Sequence, residues 1–140
     1  MMQDYLHHIF ELFIRLFCGI IFVFQGYDKL FKVKLNQVVD TFDDEAEKKH
    51  IPKPFVVFSA FYTSVVEFFG GILLIFGLFK PIVLALLGID LIMVAMAFSI
   101  IEPMWDMKHV FPRLVLLSAL MIIPHNWELY SIDYFMKLNV

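Results

Sequence analysis

Four apolar runs, at residues 9–24, 55–78, 82–101 and 110–123, constrain this chain more than any other feature, because each encloses an ionisable side chain. A bilayer hydrocarbon core about 30 Å thick asks for about 20 apolar residues per helix. The second and third runs meet that length, the first meets it when extended to Gly26, and the fourth is short even when taken to Pro124. The expected fold is therefore all-α: an integral membrane four-helix bundle with spans at 9–26, 55–78, 82–101 and 110–124, a single transmembrane domain over residues 1–140. Composition agrees, since 61% of the residues are hydrophobic, against about 45–50% in a soluble domain.

One ionisable residue stands out in each run: Arg15, Glu67, Asp90 and Arg113. Insertion scales penalise each by about 2.5–3.5 kcal/mol in lipid, so all four are expected to face the bundle interior. At about 1.5 Å rise per residue, measured from the side of the termini, Arg15 falls about 9 Å deep, Asp90 about 13 Å and Glu67 about 16 Å. An extended arginine bridges such differences, which predicts that Arg15 pairs with Glu67 or Asp90 in one interhelical cluster. Arg113 is placed near the opposite face, level with Gln25 and Lys29, and reaches Asp90 only by extending inward. One cation facing two carboxylates leaves a charge uncompensated, so one carboxyl should keep its proton or bind something cationic. The candidate buried polar cluster or ligand-binding site is thus Arg15, Glu67, Asp90, Gln25 and Lys29. Three uses fit it: a network that fixes helix register, a site for a polar headgroup or quinone-like ring, and a proton relay. No residue stands out as catalytic.

The one long connection, residues 29–53, spaces Leu30, Val33, Leu35, Val38, Val39 and Phe42 as a short interfacial helix would, with Asp43, Asp44, Glu45, Lys48 and Lys49 solvated. Pro52 and Pro54 start the second span, the segment around Gly77 and Pro81 is a tight turn, Pro112 is expected in the first turn of the fourth span, and Pro124 ends it. Trp105, Trp127, Tyr130 and Tyr134 lie just outside spans, where amphipathic rings anchor in the headgroup layer. Phe10, Phe13, Phe17 and Phe24 follow helical spacing and read as packing or lipid-facing residues. No basic n-region precedes the first run, which is expected to remain as a span.

A net charge of −3 without a basic stripe argues against a nucleic-acid partner. The single cysteine, Cys18, rules out an internal disulfide or a CxxC pair. The five histidines, His7, His8, His50, His109 and His125, have no metal-ligand spacing, so no metal site is expected, and no phosphate loop or dinucleotide fingerprint is present. Gly19, Gly26, Gly70, Gly71, Gly77 and Gly88 favour close helix contact.

Three stretches resemble the DoxX family of four-helix membrane proteins. Arg15-Leu16-Phe17-Cys18-Gly19-Ile20-Ile21-Phe22, continuing to Gly26-Tyr27-Asp28-Lys29-Leu30, is similar to the family's first-helix pattern. Glu67-Phe68-Phe69-Gly70-Gly71, with Gly77 at the turn, resembles its second helix, and Tyr130-Ser131-Ile132-Asp133 resembles its ending. The resemblance implies a small accessory subunit of a quinone-linked or sulfur-related membrane redox system, not catalytic on its own, with quinone as cofactor, the lipid bilayer, a redox partner subunit or a homo-oligomer as partners, and the bacterial inner (plasma) membrane as location. The alternative it also implies is a non-enzymatic lipid- or partner-binding module that assists assembly. On orientation the two signals oppose each other. The resemblance implies a cytoplasmic N-terminus, whereas the positive-inside rule draws the side bearing Lys29, Lys32, Lys34, Lys48, Lys49, Lys53 and Lys108 into the cytoplasm.

Overall fold

A computed structural model describes residues 2–101 and 107–136. The chain forms α1 (Met2–Tyr27), a π-helical turn (Asp28–Lys32), α2 (Lys34–Lys48), α3 (Lys53–Phe76), α4 (Lys80–Ile101), α5 (Met107–Ile122), a 3₁₀ turn (His125–Trp127) and a short α6 (Ile132–Phe135). Among the described residues there is no strand. Three helical stretches, Tyr5–Lys32, Lys53–Phe76 and Lys80–Ala97, are long and apolar enough to cross a membrane, and Val110–Ile122 is a shorter apolar helix. The protein is an all-α membrane bundle.

The elements begin and end where local chemistry dictates. Pro52 has extended backbone and caps α3, with Pro54 in the first turn, where the missing amide donor is harmless. Gly77 ends α3 in the left-handed region at φ +65°, its amide bonded back to Leu73 and Leu74. In the π turn, the Val33 amide reaches back five residues to Asp28 O at 2.8 Å. Lys34, at φ 62°, then redirects the chain into α2. α5 starts earlier than the expected span, so Pro112 lies inside the helix rather than in its first turn.

α1 and α3 form the most extensive interface, and small residues are why. A Cβ added at Gly71 would stand 2.7 Å from Val23 N and 2.8 Å from Gly19 O, and one at Gly26 would stand 2.6 Å from Phe68 Cα. The two backbones therefore touch. On α1 one stripe turns inward, with Glu11, Arg15, Cys18 and Phe22 all buried, while Phe10, Phe13, Phe17 and Phe24 on the other side are exposed as lipid-facing residues are. Leu74, Leu87, Leu91, Leu117 and Leu120 complete the apolar core between α3, α4 and α5.

The expected connection helix is present as α2, but it does more than float on the headgroups. Val39 and Ala46 on its apolar stripe are buried, because α2 packs over α3 and α4. Trp105 and the side chain of Phe42 lie outside the described residues.

Candidate functional site: two buried charge clusters and an apolar chamber

The buried ionisable side chains separate into two groups. At the end of the bundle where α1 starts and α3 stops, Arg15 Nε donates to Glu11 Oε1 at 3.0 Å, one helical turn away. Its Nη1 donates to Ile75 O at 2.8 Å and Leu74 O at 3.2 Å, and its Nη2 to Tyr130 O at 2.9 Å. Lys80 Nζ bridges Glu11 at 3.1 Å and Glu128 at 2.7 Å, and Glu128 also faces His125 Nδ1 at 3.0 Å. The Lys80 amide donates to Asp133 Oδ2 at 3.1 Å, and the Asp133 amide to Gly77 O at 3.1 Å. A Cβ at Gly77 would lie 2.6 Å from Arg15 Nη1, so the glycine serves both the turn and the guanidinium. This cluster bolts the C-terminal segment to the ends of α1, α3 and α4. Trp127 adds to the bolt, stacked on His7 with centroids 4.3 Å apart while its carbonyl meets His8 Nδ1 at 2.8 Å.

The second group lies deeper, roughly 15 Å along α4 from Lys80 at 1.5 Å per residue. Glu67, fully buried on α3, holds two cations: Arg113 Nη1 from α5 at 2.8 Å on Oε1, and Lys29 Nζ from the π turn at 2.6 Å on Oε2. Arg113 also lies over the Phe22 ring at 5.9 Å. Asp90 on α4 is fully buried within electrostatic range of Glu67, Lys29 and Arg113, yet neither of its oxygens has a hydrogen-bond partner among the described residues.

The expected single cluster is thus corrected. Arg15 pairs with neither Glu67 nor Asp90, because Glu11 on its own helix and the free carbonyls at the end of α3 are closer. Arg113 and Lys29 take Glu67 instead, and two cations rather than one face the two deep carboxyls. Gln25 lies one turn from Lys29, half-buried, with Oε1 unpartnered and no bond to the cluster. Glu11, Lys80, Glu128 and Asp133 escaped the sequence reading. The signal for Glu11 was present, since residues four apart share a helix face with Arg15.

Beside the deep cluster lies an apolar chamber of about 310 Å³ between α2, α3 and α4. Val38 and Ala46 roof it, Phe55, Ala60 and Thr63 form one wall, Met93, Val94 and Ala97 the other, and Lys29 stands at its edge. Lys29 therefore belongs to both the chamber and the ion cluster. Among the described residues no three His, Cys, Asp or Glu side chains converge as a metal site would need.

A compact bundle of apolar helices with charges sealed inside and an amphipathic helix laid over two spans defines a small integral membrane protein with an internal polar site. The chain belongs to the DoxX family, whose model matches residues 10–100. No curated protein and no solved structure matches it.

Proposed function

We propose that this protein is a small accessory subunit of a quinone-linked or sulfur-related redox system, placed in a bacterial plasma membrane, and that its part is to bind a quinone-type ring and present it to a catalytic partner. The observation that carries this reading is the chamber joined through Lys29 to the buried Glu67–Arg113 pair. Ligand sites combine apolar walls with a few convergent polar groups in this way. The residues fit a quinone: Val38, Phe55, Ala60, Met93 and Val94 supply apolar walls, and Lys29 and Thr63 are polar residues of the lining. When bound, the quinone would supply the electron-accepting chemistry. The chain's own residues bind, orient and exclude water.

A module that only recruits partner helices through small residues is less well supported, because Gly19, Gly26 and Gly71 are consumed inside the α1–α3 contact. Extraction of the protein purified in nanodiscs tests the reading. Quinone co-purifying together with an oxidoreductase chain supports it, and phospholipid alone in place of both overturns it in favour of a lipid-binding assembly module.

A further inference from the structure

At the end of the bundle away from the chamber, the start of α4 and the end of α5 leave a groove of about 230 Å³ between them. Lys80 in the groove and Ala97 in the chamber stand about 25 Å apart along α4 at 1.5 Å per residue, so the two are separate sites. Leu84, Ala85 and Met121 make the apolar side of the groove, and Lys80, His125 and Glu128 make its polar side. The split follows from the sequence. Lys80 opens α4 and His125 follows the end of α5, while the apolar residues lie about one turn further in along each helix. The groove thus repeats the gradient of a bilayer, from head groups to chains.

Glu128 is the group in it with an incomplete set of partners. It is 4% exposed, and its two basic neighbours, Lys80 Nζ at 2.7 Å and His125 Nδ1 at 3.0 Å, meet the same oxygen, Oε1. Oε2 receives no hydrogen bond from any described residue, yet it is not sealed in as Asp133 Oδ1 is; it stays open in a residue that lines the groove. A carboxylate offers about four lone-pair sites, and leaving one of its oxygens without a donor in a buried side chain is costly.

The surroundings say what donor fits. Lys80 is held between Glu11 and Glu128, and Arg15 spends its donors on Glu11, Ile75 O and Tyr130 O, so neither buried cation is free to receive an anion. Glu11, Glu128 and Asp133 also outnumber these two cations. The complement is a cation that carries N–H donors, which a primary ammonium does and a quaternary one does not. Volume sets the remaining limit. At about 230 Å³ the groove is smaller than the cavities of about 300–1,000 Å³ that enclose a whole ligand, so it takes a head group while the chains stay in the bilayer.

We propose that this groove is the head-group site for a phospholipid bearing a primary ammonium, whose N–H donates to Glu128 Oε2 and whose glycerol end lies on Leu84, Ala85 and Met121. The site goes beyond the quinone reading and does not depend on it. It is a binding assignment, and no bond is made or broken.

The test uses the full chain in nanodiscs made of equal parts of phosphatidylethanolamine, phosphatidylcholine and phosphatidylglycerol with the same acyl chains, and native mass spectrometry of the lipid that stays on the released protein. Wild type should retain the ethanolamine lipid about fivefold or more over each of the others, the order of discrimination that one charge-assisted hydrogen bond supplies. Glu128→Gln should bring the three lipids to within about twofold, because an amide oxygen is a weaker acceptor than a carboxylate and carries no charge. Ala85→Trp, which fills the groove and leaves Glu128 with Lys80 in place, should also erase the preference. Equal retention of the three lipids by wild type, or a preference for the choline or glycerol lipid, overturns the proposal, and that measurement stands even if Glu128→Gln fails to fold. An undiminished preference in Ala85→Trp, or in folded Glu128→Gln, overturns it as well. Quinone co-purification is read separately, so failure of the redox reading leaves this site standing and failure of this site leaves the chamber untouched.

Discussion

Replacing Arg15 with methionine should destabilise the bundle more than the same change at Arg113, although both are buried arginines paired to a buried glutamate. Methionine keeps most of the side-chain length, so the comparison isolates charge and hydrogen bonding. Without Arg15, Ile75 O and Tyr130 O lose the donors at 2.8 and 2.9 Å, whereas Leu74 O still receives the Gly77 amide at 3.1 Å and Glu11 still has Lys80 at 3.1 Å. Two stranded carbonyls, both only part-buried and so at the low end of about 1 kcal/mol each, plus the lost charged bond to Glu11 at about 1.5–3 kcal/mol, amount to about 4 kcal/mol. Without Arg113, Glu67 keeps Lys29 at 2.6 Å, and the lost charge-assisted bond is worth about 1.5–3 kcal/mol. The expected gap is about 2 kcal/mol, on the order of a thirtyfold change in the unfolding equilibrium. Titration with sodium dodecyl sulfate in mixed micelles reads it as a shift in midpoint. Limited proteolysis adds a local readout, because Arg15 holds the C-terminal segment through Tyr130: Arg15→Met should expose that segment to cleavage and Arg113→Met should not. Equal midpoints, or unchanged C-terminal cleavage in Arg15→Met, would refute the reasoning.

Gly26→Ala should cost about 1–3 kcal/mol by overpacking, since its methyl meets the Phe68 backbone, while Gly70→Ala meets only the Leu87 side chain at 3.1 Å and should be milder; equal shifts in the same titration contradict the backbone contact. In a Cys18→Ser background, a cysteine at Val38 should react with a water-soluble maleimide more slowly than one at Asn36, because Val38 lines the chamber and Asn36 is exposed; matching rates would mean α2 is not seated on α3. Glu67→Gln and Asp90→Asn should couple by about 0.5–3 kcal/mol in a double-mutant cycle, because removing the Glu67 charge frees Lys29 and Arg113 for Asp90; strict additivity would show that the two carboxyls do not share a site.

Much of this architecture was legible in composition and spacing. The apolar runs located the three long helices, and Pro52 with Pro54 and Gly77 marked the ends of α3 because backbone geometry leaves few other residues for those positions. The site was legible only in part. Lys29, Glu67 and Asp90 were singled out and do come together, but the partner of Glu67 was misassigned, because rise per residue orders groups by depth and says nothing of their azimuth around each helix. Arg15 illustrates the same gap. Its depth sat within reach of Glu67, yet the helix rotates it toward Glu11 and the carbonyls of α3. Glu128 and Asp133 lay beyond any periodicity argument, since a segment without regular spacing docks by tertiary contact alone.

The separation of the two charge clusters bears on what each can do. Between them the inward faces carry Cys18 and Phe22 on α1, Leu74 on α3, Leu87 on α4 and Leu117 on α5, all essentially buried. Apart from the Cys18 thiol, these side chains offer no hydrogen-bonding group. From Arg15 to Gln25 along α1 is about 15 Å at 1.5 Å per residue, several times the reach of a single hydrogen bond. A proton passed between the clusters would need polar stepping stones that this layer lacks, so the geometry weighs against a relay through the bundle. The roles divide instead. The outer cluster satisfies the carbonyls left free at the end of α3 and ties down the C-terminal segment, with its acids and bases engaged by partners of the same chain. The deeper cluster joins Glu67 to Arg113 of α5 and Lys29 of the π turn, and it leaves both oxygens of Asp90 without a hydrogen-bond partner among the described residues.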